Sequence, residues 1–167
     1  MDGHSILINE PAGPKRPIPV QDFVLGWRLL FVLGWLFTVV GLLNTVLLWY
    51  PFRFGIPEYE FGSVAASLDG LPVTMMGLTL ALAGSRARGK DGAALLATVL
   101  LWAIAVLVIA GGVLYWLNVP LALQQVTEPV IRTGIKKSMV KVTAQGLVYP
   151  AAMIALAIMG SRSRSKH

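Results

Sequence analysis

Four long apolar runs, separated by short polar stretches, organise this chain of 167 residues. The first runs from about Leu29 to Tyr50, with a helical pattern open to begin as early as Gln21. The others cover 65–84, 93–117 and 142–160. Roughly 20 residues of helix cross the hydrocarbon of a bilayer, so each run predicts a spanning helix. Between them lie a short connection at 51–60, a basic turn around Arg86, Arg88 and Lys90, and an outer loop at 118–141.

The runs also repeat. Residues 70–88 match residues 146–164 at eight of nineteen positions, and both stretches end in Gly-Ser-Arg-x-Arg. Residues 28–50 match residues 95–117 at eight of twenty-three, with Trp35 over Trp102 and Trp49 over Trp116. The expectation is an all-α integral membrane protein built from two tandem hairpins, 21–90 and 91–167, preceded by an arm at 1–20. Each hairpin crosses and returns, so the repeats are parallel, related by an axis along the membrane normal.

Lipid tails are as apolar as leucine, so helices in a bilayer associate through close packing of small residues and interhelical hydrogen bonds. Gly34, Thr38, Gly41 and Thr45 fall on one face of the first span; Gly70, Thr74, Gly77, Ala81 and Gly84 do the same on the second. The fourth keeps Gly146, Pro150, Ala157 and Gly160, and the third keeps only Ala105 and Gly112. These stripes are the expected helix-packing surfaces, and the third span is the expected lipid-facing member.

Composition agrees with a bilayer as solvent. The chain is 56% hydrophobic and 13% charged, with mean hydropathy +0.70, whereas soluble domains carry about 25% charged residues. Its net charge of +6 does not point to nucleic acid, because the basic residues flank the apolar runs. With both termini in the cytoplasm, that side holds nine Lys and Arg (Lys15, Arg16, Arg28, Arg86, Arg88, Lys90, Arg162, Arg164, Lys166) against five outside. The positive-inside rule therefore favours a multi-pass protein of the cell (inner) membrane with N- and C-termini cytoplasmic. Trp27, Trp49 and Trp116 fall where interfacial aromatic anchors are expected.

Candidate chemistry is sparse. The chain has no cysteine, and its two histidines, His4 and His167, are terminal. That leaves no histidine within a span for haem, chlorophyll or copper, no thiolate site and no Ser-His or Cys-His pair. No glycine-rich phosphate loop is present. The expectation is a non-enzyme with no cofactor held by side-chain ligands. Trp35 and Trp102, deep in the hydrocarbon, are left to contact an acceptor on another helix, a lipid or a pigment.

Asp69 is the one acid inside an apolar run, and such acids are functional candidates by default. Its repeat partner is Gln145, and Lys141 lies one turn before, which makes Asp69 and Lys141 a candidate ion pair. Asn44 is expected to hydrogen-bond a neighbouring helix. Pro14, Lys15, Arg16 and Pro17 in the proline-rich arm, and Arg132, Lys136 and Lys137 in an amphipathic outer loop, are the candidate partner contacts. The function these features suggest is a non-catalytic accessory subunit of a larger membrane assembly, respiratory or photosynthetic, in contact with other integral subunits and lipids. The alternatives are a small transporter or channel-like oligomer using Asp69, Asn44 and Gln145, and a lipid-binding or assembly factor.

Overall fold

The computed structural model describes residues 20–162, so the arm with Pro14, Lys15, Arg16 and Pro17 lies outside the described residues. Four helices account for almost all of it: α1 (Val20–Trp49), α2 (Pro57–Ala87), α3 (Asp91–Gln125) and α4 (Pro129–Arg162). All four are long and apolar enough to cross a membrane. At 30 to 35 residues they reach about 45–52 Å at 1.5 Å per residue. That exceeds the roughly 30 Å hydrocarbon layer of a bilayer.

Helix α2 is the hub. It packs against each of the others, α3 packs on α2 and α4, and α1 packs on α2 alone. The core lies between α2, α3 and α4, where Leu68, Leu78, Leu101, Tyr115, Met153 and Ala157 are buried. The sequence pattern had made the third span the lipid-facing one. Instead α1 is the peripheral helix: 17% of its most apolar stretch is buried, against 39% for α3. A small-residue stripe gives close contact with one neighbour, whereas the larger side chains of α3 fill space between two.

The contact between α1 and α2 is a backbone contact. A Cβ added at Gly77 would lie 2.5 Å from Thr38 N and 2.9 Å from the Gly34 carbonyl oxygen, and one at Gly84 would lie 2.8 Å from Phe31 N. At Gly34 it would collide with the Ala81 backbone, and at Gly41 with Thr74 Oγ1. Thr38, buried in the same seam, turns its hydroxyl back onto the Gly34 carbonyl at 2.8 Å. Thr45 does the same to Gly41 at 3.0 Å.

The turns follow from their residues. Gly89 takes φ +62°, a left-handed conformation suited to glycine. Lys90 N and Gly89 N then close onto the carbonyls of Ser85 and Arg86 at 2.9 and 3.1 Å, the Schellman ending of a helix. Pro129 opens α4, where its missing N–H costs nothing.

The segment expected as an outer loop at 118–141 is helical for most of its length: α3 continues to Gln125, α4 begins at Pro129, and residues 126–128 connect them. Pro120 does not end α3, because Asn118, Val119 and Ala122 around it are buried. The lost hydrogen bond leaves one carbonyl, that of Trp116, without its helical donor.

Replacing Gly77 by Leu should wedge α1 off α2 and lower stability by about 1–3 kcal/mol, the usual range for overpacking. Met76→Leu, on an exposed position, should change it little. Thermal unfolding of both variants in mild detergent is the check, and equal melting would remove the glycine seam from the account.

Candidate functional site

Interhelical polar side chains gather at two levels of the bundle, one around Asp69 and Glu60 and the other at Arg86. In the layer nearer the α1–α2 and α3–α4 connections, Lys141 Nζ on α4 lies 2.7 Å from both carboxylate oxygens of Asp69 on α2. Gln145 Nε2, one turn on, donates to Asp69 Oδ1 at 3.1 Å and approaches Tyr149 OH at 3.4 Å. Asp69 and Lys141, paired from the sequence by their repeat positions, thus meet across two helices. The pair is about half exposed.

A second cluster joins α2 to α3. Glu60, buried in the first turn of α2, accepts from Asn118 Nδ2 at 2.8 Å and from Gly55 N at 2.7 Å. Its position at a helix N-terminus suits a negative charge. Gly55, at φ +88°, makes the turn that aims its N–H back at the carboxylate. Beside it Tyr115 is fully buried, stacked on Phe61 at 4.5 Å, with its hydroxyl 3.2 Å from Ser138 Oγ on α4. Sequence reasoning missed this cluster. Glu60 fell in a presumed connection and Asn118 in a presumed loop, and only the 58-residue separation brought together by folding links them.

The third contact secures α1. Trp49 Nε1 donates to Ser67 Oγ on α2 at 2.9 Å, and Tyr59 OH donates to the Trp49 carbonyl. At the opposite end, Arg86 on α2 donates to the Gly160 carbonyl of α4, a cation at a helix C-terminus. Arg88 and Lys90 lie over the Phe31 ring at 5.0 and 5.1 Å.

Other sequence-named residues are placed less centrally. Asn44 is exposed, its amide over Gly70, and makes no hydrogen bond among the described residues. The interhelical bond expected of it is absent because Gly70 offers no side chain at that point. Trp35 is half-buried and Trp102 exposed, and neither indole finds an acceptor among the described residues. Trp27 is half-buried and Trp116 exposed. Arg132, Lys136 and Lys137 are exposed along the N-terminal part of α4.

Gly146, like Gly112, differs from the other stripe glycines: a Cβ there would meet nothing within 4 Å. It lines a groove between α3 and α4 instead of a helix contact. Gly160 does pack, its added Cβ falling 2.9 Å from Thr98 Oγ1 on α3. A further apolar groove of 240 Å³ lies between α1 and α3, floored by α2. Among the described residues no group of His, Cys, Asp or Glu is placed to hold a metal ion.

No known family, curated protein or solved structure matches the chain.

Asp69→Lys should lower stability by about 0.5–1 kcal/mol, the scale of half-exposed pairs, and adding Lys141→Asp should recover most of it. Melting of the single and double variants in detergent checks this. Failure of the double swap to rescue would reduce the pair to an incidental contact.

Proposed function

We propose that this chain is a non-catalytic subunit of a membrane assembly, one that packs against larger integral subunits and stabilises them. The observation that carries the reading is the one-sided docking of α1. Leu29, Leu36, Leu43 and Leu47 remain exposed along it, and its attachment to the rest of the chain is the α2 seam. A helix held on one side presents the remainder of its circumference to other helices or lipid. Respiratory and photosynthetic complexes are natural hosts, because their accessory subunits require helices, loops and lipid contacts and no chemistry; that choice of host rests on association.

The polar residues support the same reading. Asp69, Lys141 and Gln145 bond one another, and Glu60 is held by Asn118. The α1–α3 and α3–α4 grooves are lined by residues other than Asn44, Asp69 and Gln145.

The reading includes two tandem parallel hairpins with both ends of the chain in the cytoplasm. Two contacts support the duplication: Gly84 meets Phe31, and Gly160 meets Thr98. The glycines are 76 positions apart and their partners 67, the two shifts at which the sequence halves match. The excess of Lys and Arg at the end carrying Arg28, Arg86 and Lys90 supports the orientation.

Purification from native membranes in mild detergent should bring down other integral chains with this one. Deleting residues 1–20, or shortening the outer ends of α3 and α4 by removing 120–137, should abolish that co-purification while the remaining helices still insert. A monodisperse full-length protein without partners would overturn the proposal.

A further inference from the structure

The groove between α3 and α4 differs from the other surfaces of the bundle. Its main part holds 610 Å³ and runs past Gly112, Gly146, Pro150 and Ile154. A second part of 580 Å³ continues it toward the α3–α4 connection, sharing Trp116 and Thr143 and reaching Lys136. The floor is open, since an added Cβ at Gly112 or Gly146 would meet nothing within 4 Å. Along α4 the groove extends from Lys136 to Ile154, about 27 Å at 1.5 Å per residue. One leaflet with its headgroups is about 20–22 Å, so the groove reaches from headgroup level to the bilayer centre.

Charge sits at one end only. Lys136 is exposed at the mouth, and Arg132 stands one turn before it on the same face of α4. Neither has an ion-pair partner among the described residues, whereas Lys141 is occupied by Asp69. Trp116 is exposed between the cationic mouth and the apolar floor, the level that indole rings favour at a membrane interface.

We propose that this groove seats one anionic phospholipid from the leaflet on the side of the α3–α4 connection. An acyl chain lies along Gly112, Gly146 and Pro150, and the negative headgroup meets Lys136 and Arg132. The inference needs the helices to cross a bilayer, and it is independent of which complex, if any, the chain joins.

The test uses the full chain, delipidated in detergent and given dioleoyl phosphatidylglycerol or dioleoyl phosphatidylcholine, with retained lipid counted by native mass spectrometry. Two surface cations at about 1 kcal/mol each give a preference for phosphatidylglycerol on the order of tenfold or more. R132Q/K136Q should erase that preference. Arg53→Gln, an exposed cation in the α1–α2 connection, should keep it. Gly146→Leu, entering open space, should reduce retention of both lipids without lowering the lipid-free melting temperature. Equal retention of the two lipids by the unmodified chain would overturn the proposal, and so would an Arg53→Gln effect as large as that of the double variant. Undiminished lipid binding by Gly146→Leu, or the same thermal protection from glycerol phosphate as from phosphatidylglycerol, would also overturn it by removing the acyl chain from the groove.

Discussion

Close approach of the α1 and α2 backbones is the constraint on which the rest of the arrangement depends. In a bilayer, apolar area gains nothing by leaving lipid for protein, so α1 is held by van der Waals contact and by the few hydrogen bonds it makes. Gly34, Gly41, Gly77 and Gly84 all stand where a single methyl group would strike the neighbouring helix. Such contact is short-ranged: a gap of 0.5–1 Å already loses about a quarter to a half of the attraction between facing atoms. The Trp49–Ser67 bond at one end and the cations over Phe31 at the other fix the sliding register of the same seam.

The polar contacts follow a division by depth. Side-chain bonds tie α2 to each of its three neighbours: Ser67 to Trp49 on α1, Glu60 to Asn118 on α3, Asp69 to Lys141 on α4. Arg86 adds a second tie to α4 at the far end. Glu60 and Arg86 lie near the two ends of α2 and Asp69 well inside it, and between the levels of Asp69 and Arg86 the buried side chains include Leu78, Leu101 and Met153. One central helix with directional bonds to all three neighbours and shape-dependent packing between them accounts for α2 being the hub.

How much of this the sequence disclosed depended on whether the signal was local. The α1–α2 seam is a period of three and four written in glycine and threonine, and it was legible. The Asp69–Lys141 pair was legible too, because the shift of 76 set Asp69 against Gln145 and helical spacing placed Lys141 one turn away. The Glu60–Asn118 bond was not, since neither residue lies in an apolar run and nothing local relates them. The continuation of α3 past residue 117 was not legible either, since Asn118 and Pro120 fall outside the apolar run; burial of Asn118, Val119 and Ala122 holds the helix around the proline. The lipid-facing helix was misassigned for a similar reason, as a smooth stripe marks where one neighbour sits and does not reveal how many neighbours a helix has.

Gly146 shows how the same residue type gives opposite results in the two halves. Under the shifts of 67 and 76, the crossing of α1 and α2 through Gly34 with Ala81 and Thr38 with Gly77 corresponds in α3 and α4 to Leu101 with Ala157 and Ala105 with Met153. All four of the latter are buried. The first crossing therefore has glycine on both sides and closes to backbone contact, while leucine and methionine stand in the second. Those larger side chains set the helix separation, and small residues further along, Gly112 and Gly146, face a space that nothing in the chain fills. A glycine makes a helix contact only where its neighbours let the helices come together; where they do not, it makes a groove. The α1–α2 and α3–α4 crossings differ in the residues that decide between these outcomes, and α4 also carries the exposed cations Arg132, Lys136 and Lys137 in its N-terminal part.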